Sequence, residues 1–224
     1  MEKLTPDRLI RTRRKTLSLE ISRDAKLIVR APNNVPMHFI EGFISKKQRW
    51  IEKKLAIALK RAAENAPRIF TEGQRFPYLG TEYPLSIIEG QDRPLSFNSG
   101  FFLSRSHIQQ AKEIFINWYR KEAVSIIEER LKKYSHLTGL KHNRINISNA
   151  KRRWGSCTAA NNLSFNWRLI MAPISVIDYV ITHELAHLEE KNHSRQFWAK
   201  VSSIFPLFNK SKTWLRENGH KLTI

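Results

Sequence analysis

The chain has 224 residues, 41% of them hydrophobic, including 12 Phe and 6 Trp, which is enough apolar mass for one substantial domain or two small ones. A single cysteine, Cys157, excludes an internal disulfide and suits a reducing compartment; no stretch approaches transmembrane length, and M-E-K-L-T-P-D-R-L-I has no apolar signal core, so a soluble cytoplasmic protein without a membrane partner is expected. The formal net charge of +19 concentrates the protein near polyanions, nucleic acid first, but the Lys and Arg are spread along the chain without a base-reading motif, so any such contact is nonspecific and salt-sensitive.

Residues 13–21 alternate, with Leu17, Leu19 and Ile21 on one face, and predict a strand. Lys26–Ala31 is its expected partner across a turn at Ser22–Ala25. From Val35 to about Ala66 the period becomes helical, with Phe39, Ile40, Phe43, Ile44, Trp50, Ile51, Leu55 and Leu59 as the apolar stripe, and Ala66-Pro67 ends it. Lys46, Lys47, Arg49, Lys53, Lys54, Lys60 and Arg61 crowd the rest of this helix. The plainer reading of that crowd is a solvated surface, and the functional one is a basic face for phosphates. Residues 68–104 predict short strands at 69–70, 75–79, 83–88 and 100–103, punctuated by Gly73, Gly80 and Gly90.

Ser104 to about Leu137 predicts a long helix stopped by Thr138-Gly139, and the domain boundary is placed just before it. This gives an N-terminal α+β subdomain over 1–104, β-rich with one long helix, and a second domain over 105–224. Three strands are expected at 144–148, 152–158 and 163–167, forming a small antiparallel sheet whose edge can pair with an extended peptide. Cys157, lone in a strand, reads as a small buried hydrophobe rather than a metal ligand or nucleophile. Near the end, Leu207 to Gly219 predicts a last helix, and His220 reads as a surface residue or a fourth polar group at a site.

The chemistry concentrates between Asp178 and Trp198. Val176, Ile177, Val180, Ile181, Leu185 and Leu188 give a helical apolar pattern through His183-Glu184-Leu185-Ala186-His187, and Pro173 suits the first turn. Residues four apart share a helix face, so His183 and His187 present two imidazoles to one point, as two of three zinc ligands do. Glu184, about 100° around the helix, is placed to act on a metal-activated water without being a ligand. His193 comes six residues after His187, so the helix has to end near Glu190 to Asn192 for it to return; Ser194 then caps a helix through Phe197, Trp198, Val201 and Ile204. A rival third ligand is the carboxylate of Glu217. The His spacing is that of H-E-x-x-H-x-x-G-x-x-H, but Glu190 replaces the Gly and no Met follows Met171, so the chain departs from the metzincin pattern.

The runs R-R-K-T-L-S-L, L-I-V-R-A-P, F-I-S-K-K-Q-R-W-I-E-K-K, R-W-G-S-C-T, L-S-F-N-W-R-L, V-I-D-Y-V-I-T-H-E-L-A-H-L and N-H-S-R-Q-F-W together resemble the YgjP-like metallopeptidase family. Its core motif is similar to that of SprT-type proteases, which act on proteins crosslinked to DNA. The resemblance implies a zincin-like catalytic domain of α+β class, Zn2+ held by His183, His187 and His193, Glu184 as the catalytic residue, and a peptide or protein substrate. Arg153, Tyr179, Arg168 and His220 are candidates for the donor that stabilises the oxyanion. The competing expectation is a basic nucleic-acid-associated binding protein with a structural or vestigial zinc site. Glu184 argues against it, because a structural site needs no carboxylate beside its ligands and usually has four protein ligands.

Overall fold

The computed structural model describes residues 4–22, 24–64 and 68–224. Two compact units emerge, residues 1–66 and 67–224, each around its own cluster of buried side chains.

In the first unit β3 (Leu27–Pro32) lies between β1 (Arg8–Thr12), which runs parallel to it, and the antiparallel β2 (Ser18–Ile21). Leu27, Val29 and Ala31 alternate onto one buried face, where Ile40 and Ile44 of α1 (Met37–Lys46) and Ile51 of α2 (Gln48–Glu64) cover them. The expected β2–β3 pairing forms, closed by Ser22 N–H to the Lys26 carbonyl at 2.9 Å; Arg23 in the predicted turn, and the Ala66-Pro67 stop, lie outside the described residues. β1 was not expected, because R-L-I-R-T has no alternation to signal it. The single predicted helix is two. The chain breaks at Lys47, in a run (Ser45 to Arg49) that has no apolar side chain to hold a straight helix onto the sheet. Phe39, Trp50 and Leu59, assigned to the apolar stripe, are exposed.

The second unit begins with β4 (Arg75–Tyr78), β5 (Thr81–Ile88), β6 (Leu95–Phe97) and β7 (Phe101–Ser104), in the order β4-β5-β7-β6 with β5 parallel to β7. After a 3-10 segment (Arg105–Gln110) comes α3 (Ala111–Thr138), which ends at Gly139 in the left-handed region (φ 71°) as predicted. α3 buries every fourth residue from Ala111 to Leu131. Phe115 packs on Phe76 and Phe101 (ring centroids 4.4 and 5.0 Å), and Tyr119 Oη donates to the Pro77 carbonyl at 2.7 Å. This shared core places the β4–β7 sheet with α3, so the compact units divide at 66/67 and not before residue 105, where the sequence pattern put the boundary. Ile69-Phe70, expected as a strand, is not one; Phe70 packs on Phe76 instead.

β8 (Ile145–Ser148), β9 (Gly155–Cys157) and β10 (Leu163–Asn166) form the third sheet in the order β8-β10-β9. It is mixed rather than purely antiparallel, since β10 returns between its two predecessors and runs parallel to β8. A 3-10 segment (Trp167–Met171) leads into α4 (Ile174–Ala186), α5 (Arg195–Ile204) and α6 (Phe208–Asn218). α4 is apolar almost all round and is buried as such a helix must be, contacting α3, α5, α6 and β9. The β4–β5 turn docks ahead of it: Leu79 N–H donates to the Ile170 carbonyl (2.8 Å) and Gly80 N–H to Met171 (3.2 Å). Gly80 has φ 86°, and a Cβ there would lie 2.8 Å from Pro173 Cα, so only glycine fits. Among the described residues, six α-helices with small sheets make the fold α+β, consistent with a zincin-like domain around α4. No helix among the described residues is long and apolar enough to cross a membrane.

Candidate metal centre

α4 ends at Ala186, earlier than the spacing predicts, and His187 is its C-cap. Tight turns follow, with Leu188 N–H bonded to the Leu185 carbonyl and Glu190 N–H to Ala186, and they reverse the chain within six residues. Asn192 does not terminate the helix; its Oδ1 accepts from Ser194 N–H at 3.1 Å and shapes the bend. Ser194 caps α5 as predicted, its Oγ accepting from Phe197 N–H. The early stop brings His193 back over the last turn of α4.

His183, His187 and His193 each direct a ring nitrogen into one cluster, all within 4.8 Å of one another. The Nε2 atoms of His183 and His193 are 3.0 Å apart. Nitrogens about 2.0–2.1 Å from a tetrahedral zinc stand about 3.4 Å from each other, so this spacing suits a shared ion. His187 Nδ1 is 2.9 Å from the Glu190 carbonyl, which orients the ring and leaves Nε2 as the ligand atom. Burial, then neighbouring His187 and His193 and the charge of Lys212, hold His183 down to about 3, and the same kinds of effect lower His193. Both rings are thus neutral near pH 7 with a lone pair to give. The residues present fit a zinc ion.

Glu184 is buried beside this cluster, and burial pushes its carboxyl up to about 8, with Arg153 pulling the other way. It touches β9: a Cβ on Gly155 would lie 2.5 Å from Glu184 Oε1. Phe197 packs on His187 (4.4 Å) and on His193 (4.7 Å), and Trp198 stacks on His193 at 5.8 Å. Lys212 Nζ of α6 sits 3.7 Å over the Trp198 ring, and Phe208 stacks on the other members of this wall, Trp198 and Tyr179.

Of the four candidate donors, Tyr179 is 5.8 Å from the His183 ring and Arg153 acts on Glu184. Arg168 lies over Trp167 and donates to Asn149 Oδ1 at 2.6 Å. His220 is half-buried in the 3-10 segment Gly219–Lys221. Glu217, the rival ligand, is exposed and 3.4 Å from Arg216, outside the cluster. Cys157 is half-buried on β9, and burial raises its thiol. Gly155 and Lys212 were not singled out by the sequence. Nothing in a linear pattern signals Lys212, whereas the aromatic pair Phe197-Trp198 follows His193 at helical spacing.

A family model described as "YgjP-like, metallopeptidase domain" matches residues 15–218. The chain belongs to the YgjP-like metallopeptidase family. No curated protein matches this YgjP-like chain. Among solved structures it is similar to the metallopeptidase zymogen abylysin of Pyrococcus abyssi, at 19% identity and a TM-score of 0.37, over 41% of this chain and 93% of that one. Membership makes the chain a peptidase hydrolase, and its histidine cluster is compatible with the metal that the family name implies.

Proposed function

We propose that this YgjP-like protein is a zinc-dependent peptidase in which His183, His187 and His193 hold the ion and Glu184 is the general base. The observation that carries the reading is the convergence of three imidazoles beside a buried carboxylate that is not one of the three. A bound zinc supplies a Lewis acid for the substrate carbonyl and lowers the pKa of water.

The protein's own groups do the rest. Glu184, with a pKa near the operating pH, takes a proton from water and delivers it to the leaving amine. Tyr179, whose phenol burial raises to about 12, stays protonated and serves as an O–H donor to the developing oxyanion. The edge strand β9, in contact with Glu184, offers backbone groups to an extended peptide. A structural or vestigial zinc site fits less well, since three ligands and a buried carboxylate are what a site with one open position requires.

The single cysteine supports a cytoplasmic location, and the +19 charge supports nonspecific contact with nucleic acid, which salt-dependent retention on DNA tests. The deciding experiment is metal content by mass spectrometry for wild type and His187→Ala, purified without added metal, followed by a peptide-library digest with Glu184→Gln as control. About one zinc per wild-type chain, lost in His187→Ala, with cleavage abolished by Glu184→Gln, is expected. Equal, negligible metal in both proteins would overturn the reading.

A further inference from the structure

Between residues 46 and 61 the first unit carries seven Lys or Arg and one carboxylate, Glu52, a net +6 over two short helices. Glu52 accepts from Gln48 at 2.9 Å, and among the described residues none of the seven cations has an ion pair or side-chain hydrogen bond. All seven are exposed. On α2 their phase is coherent. Trp50, Lys54, Ile57 and Arg61 follow at helical spacing along one stripe, flanked by Arg49, Lys53 and Lys60. Ile51 and Leu55 lie about 100° around the helix from that stripe and pack into the unit's own core. Trp50 is 42% exposed, Ile57 37%.

We infer that this face of α2 binds single-stranded nucleic acid. Five cations over Arg49 to Arg61 span roughly 18 Å of helix, enough to track a short run of backbone phosphates. An exposed indole set among them offers a stacking surface that unpaired bases can use and paired bases cannot. A lipid surface fits less well. A membrane-bound helix needs an uninterrupted apolar face with its charges at the flanks. Here the apolar face is turned inward, and Trp50 and Ile57 alternate with Lys54 and Arg61. The placement stands apart from the peptidase reading, because none of these residues belongs to the metal cluster.

The test is fluorescence anisotropy of a labelled mixed-sequence DNA strand of about fifteen nucleotides with the full chain, at several salt concentrations. A salt slope of about −3.5 is expected for wild type, flattened by about 1.4 in Lys53→Gln/Lys54→Gln. Trp50→Ala is expected to weaken binding about tenfold at unchanged slope. All three positions are exposed, and circular dichroism checks that the variants fold. Glu184→Gln is expected to bind like wild type, so loss of peptidase activity and loss of this contact are separable. Wild-type affinity in both surface variants overturns the proposal. So does a duplex of equal length competing equally well with Trp50→Ala silent, which reduces the contact to polyanion attraction. Phosphatidylserine vesicles captured through Trp50, with the oligonucleotide bound independently of it, overturn it in favour of a lipid surface.

Discussion

A methyl group at position 155 would meet Glu184 at 2.5 Å, so the smallest side chain change on β9 displaces the buried carboxylate. Gly155→Ala is expected to lower peptidase activity by about 10²–10⁴-fold, as loss of a positioned base does, while zinc content measured by mass spectrometry stays at the wild-type level. Tyr179→Phe removes only the hydroxyl; a fall in kcat of about 10²–10³-fold with little change in KM is the outcome expected if that O–H meets the oxyanion. An unchanged kcat would move the role to Arg153. Cys157 makes a contrasting case. Burial raises its thiol, with Glu184 adding to the effect and Lys191 opposing it, so less thiolate is present at a given pH. Its alkylation at pH 8 is expected to run slower than that of a free cysteine, timed by mass spectrometry. At this scale His183, Glu184 and His187 stood out in the sequence because a five-residue pattern carries them, and His193, six residues on, clusters with the two histidines only through the chain reversal. Gly155 and Lys212 stayed hidden because their relation to the site exists only once β9 and α6 are folded against α4.

α4 is anchored through Asp178, in its second turn, by a bidentate ion pair. Arg130 of α3 donates from Nε to Asp178 Oδ1 at 2.7 Å and from Nη2 to Oδ2 at 2.5 Å, and Asp178 is only 5% exposed. Arg130→Ala would leave that buried carboxylate without its cation, with the Tyr134 hydroxyl still bonded to it, and a loss of about 3–5 kcal/mol in urea unfolding is expected. A loss below about 1 kcal/mol, in the range of an exposed pair, would show that the site is wetter than its burial indicates. The long regular elements were legible. α3 repeats its buried residues every four positions and stops at a glycine, and β8 and β10 carry their own apolar alternation. The elements that were missed are those whose reason lies elsewhere in the chain. β1 and β6 are short and gain their hydrogen bonds from β3 and β7. α4 stops before the predicted residues because the geometry that returns His193 to His183 is tertiary.

The division at 66/67 has a practical corollary. Each unit encloses its own apolar cluster, the larger one running from Phe76 to Leu222 without a residue of the first unit. A fragment of residues 68–224 is therefore expected to melt cooperatively and to retain about one zinc per chain. A fragment that stays unfolded would show the first unit to be part of the folding core. The sequence pattern put its boundary before residue 105 because the strands of 75–104 look like an independent β-rich segment until Phe76 and Phe101 are seen against Phe115. One contact inside the larger unit reports on all of it. The amides of Leu79 and Gly80 sit at the tip of a two-strand turn, a place where deuterium normally enters within seconds, yet both are bonded to carbonyls just ahead of α4. Their exchange with heavy water thus times the detachment of the helix that carries His183 from the sheet, and gives a clock for opening that needs neither substrate nor metal.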